Sequence, residues 1–372
     1  MFPSRNIISA LVVTILLGFS STAFSQIATP TPKIQIDDDI IKVDSRLVVV
    51  PVSVTDKDGQ PVLGLTAQDF RIAEERRSQV IESVGNAAVV PLEIALLFDV
   101  SASTDPMFRF EQETAAKFLR DVMRPDDRAT VFTIGQTPVL IQCRDTAQRA
   151  GESVMGISIT KGATAFFDTV RAAADYLRNN SPEGRRRVIL VISDGEDNFS
   201  DGVQRAQRTA ERRLVDRGPD PDFKKFGKLV VQAQQSAKNE ERAKVLKALQ
   251  DADIVHYSIN PAGSSYLLNQ ISVFGQENMQ TFSSETGGTA FLPRFQPIDT
   301  KDRYQNANNV RNNTEILDRI FRQLTNELRS QYLIQYYSET DFPLNKFVKL
   351  DVGVPARSNL QVRSRQGYYV KN

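Results

Sequence analysis

Two aspartates stand where chemistry is easiest to place. Phe98-Asp99-Val100-Ser101-Ala102-Ser103 follows the apolar run Leu92 to Phe98, and Ile192-Ser193-Asp194-Gly195 follows Val188 to Ile192. Both runs read as parallel strands buried on two faces, so each carboxylate falls at a strand's carboxyl end, where open α/β sheets bind ligands. Between them Gly162-Ala163-Thr164 opens a helical stretch and adds a hydroxyl to the same rim. Asp99, Ser101, Ser103, Thr164 and Asp194 therefore offer two carboxylates and three hydroxyls, with no imidazole and no thiol. Such an all-oxygen set suits a hard divalent cation. Magnesium keeps waters in its octahedron, which leaves a position for an outside ligand, and Mn2+ or Ca2+ would also accept these donors. Each residue alone has a plainer use: Asp and Ser cap helices, and Asp-Gly makes turns.

Few other residues compete for chemistry. The 372 residues include one cysteine, Cys143, and one histidine, His256, which excludes an intramolecular disulfide, a CxxC cluster and a multi-histidine metal site. His256 sits in the apolar strand Ile254 to Ile259 and reads as structural, and Cys143 reads as a small buried or edge thiol. Glu196 and Asp197 read as solvated loop residues, with tuning of the rim or approach to the ion as the alternative. The stretch from Asp194 to Asp201 is not an EF-hand, because Phe199 stands where the loop needs glycine.

These residues need a frame to hold them. The length suits two domains, and 41% hydrophobic with 24% charged residues excludes both wholesale disorder and a multi-span membrane protein. Lys plus Arg is 46 and Asp plus Glu is 45; the resulting +1 is Arg5, so the rest of the chain offers no overall field for nucleic acid or an anionic membrane. From Pro91 to about Arg294, strands at Leu92 to Phe98, Arg128 to Ile134, Val188 to Ile192 and Ile254 to Ile259 alternate with helical stretches around Phe118 and Val170. That alternation predicts an α/β fold with a Rossmann-like, doubly wound, mostly parallel sheet. Both ends are different. Val48, Val50, Val52 and Val54 alternate, as do Tyr332, Ile334 and Tyr336, and Val348, Leu350, Val352 and Val354. Neither end holds enough strands alone, so an all-β, sandwich-like domain built from both chain ends is expected, with the α/β part inserted in it.

At this point the chain resembles the von Willebrand factor type A (VWA) family. Asp99-x-Ser101-x-Ser103, Thr164 in Gly-Ala-Thr-Ala-Phe-Phe-Asp and Asp194 in Ser-Asp-Gly are similar to that family's metal-ion-dependent adhesion site at all five positions. The resemblance implies that Ser101, Ser103 and Thr164 bind the cation directly, that Asp99 and Asp194 act largely through water, and that a partner's carboxylate completes the shell. It spans about Pro91 to Arg294. Val54-Thr55-Asp56-x-Asp58-Gly59 and Gly367-Tyr368-Tyr369 more narrowly resemble exported bacterial members of largely unassigned function. A departure from the minimal family pattern is Arg205 to Lys247, with twelve Lys/Arg against six Asp/Glu, read as two or more helices interrupted at Gly218-Pro219-Asp220-Pro221.

The expected organisation is a signal peptide over 1–25, a linker over 26–39, the first part of the β-domain over 40–90, and the α/β domain over 91–295 with a charged helical insertion near 203–250. A connecting segment and helix over 296–330 and the second part of the β-domain over 331–372 complete it. The signal reading rests on Arg5, the apolar run Ile7 to Phe19 and Ala23-Phe24-Ser25; that run is too short to span a bilayer, and no later run does so. The expected function is an exported, metal-dependent, adhesion-type protein-binding module, with Mg2+ capturing an Asp or Glu carboxylate of a protein partner. A scaffold that uses metal only for stability, or a metal-assisted hydrolase, are the alternatives. The hydrolase lacks an obvious base.

Overall fold

The computed structural model describes residues 46–101, 105–160, 162–215, 223–261 and 270–371. The expected signal peptide, linker and the onset of the first strand lie outside them, as do Ser103 and the Gly-Pro-Asp-Pro break. Asp44–Asn372 forms one compact unit.

Alternation decides the ends of the chain. Before Pro91 come β1 (Arg46–Thr55), β2 (Arg71–Glu74), β3 (Arg77–Gln79) and β4 (Ile81–Asn86), joined by loops and turns without an α-helix. One of these turns carries the capping box between Thr66 and Asp69. Val48, Val50, Val52 and Val54 are all buried, as a period of two requires. The other end supplies β11 (Tyr332–Ser338), β12 (Phe347–Gly353), β13 (Gln361–Ser364) and β14 (Gly367–Tyr369). Strands from both ends interleave in two four-stranded sheets, ordered β13-β1-β11-β4 and β14-β12-β2-β3. Val50, Ile72, Ile334 and Val348 share the core between them. Glu74, fully buried there, accepts hydrogen bonds from Tyr336 (2.7 Å), Ser338 (2.8 Å) and Tyr368 (2.6 Å). Three donors satisfy a carboxylate that would otherwise be costly to bury.

The middle is mixed α/β. β5 (Leu92–Asp99), β6 (Arg128–Ile134), β7 (Val139–Asp145), β8 (Arg186–Ile192), β9 (Ile254–Ile259) and β10 (Ala290–Phe291) make one sheet in the order β10-β9-β8-β5-β6-β7. Every pairing is parallel except β7 on β6. β5 and β9 are buried along their whole length, which explains their mostly apolar sequence. Helices cover both faces: α1 (Asp105–Val122), α2 (Ala147–Met155) and α7 (Arg303–Arg329) on one, and α3 (Phe166–Asn180), α5 (Phe223–Asp251) and α6 (Gln270–Thr286) on the other. The basic stretch is helical, formed by α4 (Asp201–Val215) and α5. The helix after β5 and the helices after β8 thus lie on opposite faces, which makes the carboxyl ends of those two neighbouring strands the topological switch point of the sheet. Among the described residues no helix is long and apolar enough to cross a membrane.

Candidate functional site

Asp99 ends β5, and Ser193 and Asp194 follow β8. Phe98 pairs with Ile192 in the ladder, so the two aspartate loops leave the sheet side by side. Asp99 is nearly buried, and its oxygens accept from the Ser101 hydroxyl (2.7 Å), the Ser101 backbone N–H (2.9 Å) and the Ser193 hydroxyl (2.6 Å). Asp194 accepts the Glu196 N–H at 3.0 Å. Thr164 is buried; its N–H donates to Asn198 at 2.7 Å, and its hydroxyl makes no hydrogen bond to a described residue. Ser101 joins the cluster, and Ser103 falls outside the described residues.

Neighbouring elements hold the Asp194 loop by close contact. Gly195 has φ +77°, and a Cβ there would lie 2.4 Å from the Gly275 carbonyl oxygen of α6. A Cβ on Gly275 would lie 2.7 Å from the Asp194 carbonyl oxygen. Two backbones therefore pack where no side chain fits. Ser272 of α6 donates to the Glu196 carboxylate, and Asn278 donates to the Gly195 carbonyl at 3.2 Å. Glu196 is tied to α6 and is only partly exposed.

Asp197 corrects the expectation of a solvated loop residue. It is 1% exposed and accepts from Phe167 N–H (2.8 Å), Ser200 N–H (3.1 Å) and the Ser200 hydroxyl. The carboxylate meets the N-terminus of α3, where free N–H groups and the helix dipole favour negative charge. Asp-x-x-Ser after a strand signals the local bonds to Ser200, whereas the contact with α3, 30 residues earlier, has no local sequence signal.

The electrostatics of the rim are one-sided. Burial raises the Asp99 carboxyl despite its hydroxyl partners. Burial and then the Asp99 charge push Asp194 up to about 7. Glu111, from α1, is pushed up to about 8 by burial and then by Asp99 and Asp194. Among the described residues no lysine or arginine pairs with any of the three. Glu111 escaped the sequence reading, although its signal is there: it lies three after Phe108 and four before Ala115 on the buried stripe of α1. Carboxyls that repel one another at a largely buried rim are relieved by a cation, and oxygen donors fit a hard one. Among the described residues no three His, Cys, Asp or Glu side chains come together as a metal-holding group, so a cation here would rely on hydroxyls and water.

The remaining reactive groups lie elsewhere. His256 is fully buried on β9, with Nδ1 3.0 Å from the Ser283 hydroxyl and its ring against Phe282; burial pulls it down to about 3, which keeps it neutral. Cys143 is an exposed thiol on β7, the edge strand.

No family model and no curated protein matches the chain. Among solved structures, an aerotolerance-related membrane protein from Bacteroides fragilis matches at 16% identity over 61% of this chain and 99% of its own, with a TM-score of 0.34. A von Willebrand factor type A protein from Catenulispora acidiphila matches at 11% identity over 74% of this chain and 51% of its own (TM-score 0.37). Proximal thread matrix protein 1 from the mussel byssus, with a zinc-occupied MIDAS motif, matches at 12% identity over 69% and 50% (TM-score 0.39). This chain thus spans about half the length of the latter two. At such scores the likenesses carry no residue-by-residue correspondence. The solved structures that this chain resembles nonetheless include von Willebrand factor type A domains, at low sequence identity.

Proposed function

We propose that the carboxyl-edge rim is a divalent-cation site and that the chain is an exported protein-binding module working through it. Ser101, Ser103 and Thr164 would ligate the ion, with Asp99 and Asp194 holding its waters and charge. Mg2+ is the first choice and Mn2+ or Ca2+ are alternatives. The observation that carries this reading is the pairing of unneutralised, partly buried carboxylates with a Thr164 hydroxyl left without a described hydrogen-bond partner. A cation at that rim supplies an attraction for a partner's Asp or Glu carboxylate that bulk water screens less than usual. The export expectation rests on the N-terminal sequence alone. The chain is read as a binder because its one imidazole is buried and neutral on β9 and its one thiol is exposed on β7. The two-part organisation, with the α/β part inserted in a β part made by both ends, belongs to the same proposal.

Mn2+ provides the test. Loss of the free-ion spin-resonance signal should report one bound Mn2+ per chain in wild type and none in Asp99→Ala. Adding the tripeptide Gly-Glu-Gly should then lower the water-proton relaxation enhancement, because a carboxylate displaces a bound water. Absence of saturable Mn2+ binding contradicts the reading. Binding with relaxation unmoved by the tripeptide favours the scaffold alternative.

A further inference from the structure

The amino edge of the same sheet carries the opposite charge. A cleft of about 560 Å³ lies there, between the starts of β8 and β9 and the outer face of β1 and β11. Its apolar wall comes from Leu47, Val49 and Pro51 of β1 and Leu333 of β11. Leu47 is 48% exposed and Val49 38%, unusual values for two apolar side chains on adjacent outward positions of one strand. The polar wall carries Arg46, Arg185, Arg186, Arg187, Arg365 and Lys371 against only Glu183 and Asp253.

Internal partners use part of that charge. Arg185 pairs with the buried Glu93 just outside the cleft, and Arg365 and Lys371 share Asp253 at 2.8 and 2.7 Å. The remainder makes no direct ion pair to a carboxylate among the described residues. Arg46 makes no hydrogen bond or ion pair to a described residue, and Arg187 reaches only the Ala252 carbonyl at 3.0 Å. Arg186 bonds Ala87, Leu328 and Gln331 oxygens and no carboxylate, and burial pulls its guanidinium down to about 10. The Nε atoms of Arg186, Arg187 and Arg365 are buried with no acceptor.

The cleft also holds an open strand edge. On the side of β1 away from β11, β13 pairs with Val52 to Thr55 alone, and among the described residues no strand pairs with Arg46 to Pro51. The Val49 carbonyl turns to that side, where Arg365 donates to it at 2.9 Å. By the antiparallel alternation Leu47 turns the same way, and Pro51 has no N–H to offer. Open edges are templates for an added strand, and arginines beside one select carboxylates.

We propose that this cleft binds an extended acidic segment of a partner protein, added as a strand along the Arg46 to Val49 edge of β1. Its carboxylates meet Arg46 and Arg187, and its alternate apolar side chains lie on Leu47 and Val49. Main-chain hydrogen bonds supply the affinity, and charge and alternation supply the selection.

The test is fluorescence anisotropy of a labelled Asp-Val-Asp-Val-Asp-Val peptide on the intact chain in EDTA, which separates this site from the cation rim. Three comparisons accompany it: a Lys-Val repeat, the acidic peptide with alternate amides N-methylated, and the double variant Arg46→Glu with Leu47→Asp, both changes at solvent-accessible positions. Saturable binding that weakens at least about tenfold in each comparison is expected, equivalent to ~1.4 kcal/mol. No saturable binding in EDTA, or equal affinity in any one comparison, overturns the proposal. A double variant that melts below wild type is replaced by Leu47→Asp alone, with the same criterion.

Discussion

Strand β5 carries a buried acid near each end, and the two are treated in opposite ways. Glu93, at the amino end, is held by Arg144 at 2.9 Å and by Arg185. Asp99, at the carboxyl end, meets only serines, with Asp194 and Glu111 adding like charge. Asp127, also at the amino edge, pairs with Arg329 and accepts the Leu92 N–H at 2.7 Å. Buried charges that serve folding are paired with an opposite charge or hydrogen-bonded inside the chain, as Glu74 is by three hydroxyls, because leaving one unsatisfied is expensive. On the two proposals above, an outside charge completes each edge: a cation at the carboxyl edge, and a carboxylate at Arg46 and Arg187 in the cleft. One sheet thus presents two edges with complementary needs.

The internal ion pairs of the amino edge carry the largest expected effect. Asp127→Ala should cost roughly 3 to 5 kcal/mol in urea unfolding, with the loss unchanged by metal, since it strands Arg329 and the Leu92 N–H. A loss below about 1 kcal/mol would show that the amino-edge pairs are not structural anchors. Next in size, Gly275→Ala should cost about 1 to 3 kcal/mol by overpacking and also weaken any metal response, because the added Cβ meets the Asp194 backbone. Wild-type stability and metal response in that variant would remove the Gly195 and Gly275 contact from the account.

A smaller effect comes from protonation. Asp194 and Glu111 have folded-state values, about 7 and about 8, above their ordinary 3.8 and 4.5. The folded chain therefore holds protons that the unfolded chain has lost, and metal-free stability falls as pH climbs from about 4 toward 8. His256 acts in the other direction: held neutral down to about 3, it lowers stability as pH falls below its ordinary 6.5. Asp194→Asn isolates the acidic part. It should raise metal-free stability at pH 8 by on the order of 1 kcal/mol and flatten the decline between about pH 4 and 7. A variant less stable than wild type under those conditions would mean that Asp194 is not strained by its neighbours. Smallest of all, Leu47→Lys should change stability by less than about 0.5 kcal/mol despite removing a large apolar side chain. A larger loss would place Leu47 in the core of the β part.

Much of this was legible from periodicity. β6 and β9 fall at their expected residues, and the alternating valines of β1 locate the core of the terminal sheets. β7 was not, because an exposed edge strand such as Val139–Asp145 buries neither face and carries no burial pattern. The pairing of Asp99 with Ser101 and the neighbouring Asp194 were readable because strand ends order them in space. Glu111, Ser193 and Gly275 were not, since their roles arise from contacts across the fold: a helix phase, a hydroxyl bridge 94 residues away in sequence, and a backbone approach between a loop and α6. The basic cleft was likewise hidden, because its arginines come from both chain ends and the middle.

Thr164→Val gives the most direct test of the cation rim. The Thr164 hydroxyl makes no described hydrogen bond, so replacing it with a methyl of similar shape leaves the fold's own bonds intact. Melting temperatures of wild type and Thr164→Val should coincide in EDTA. With Mg2+ at about 100 times its dissociation constant, wild type should gain ~2.7 kcal/mol and melt higher, while Thr164→Val gains little. An equal rise in both proteins, or no rise in wild type at millimolar Mg2+, Mn2+ or Ca2+, would contradict the site.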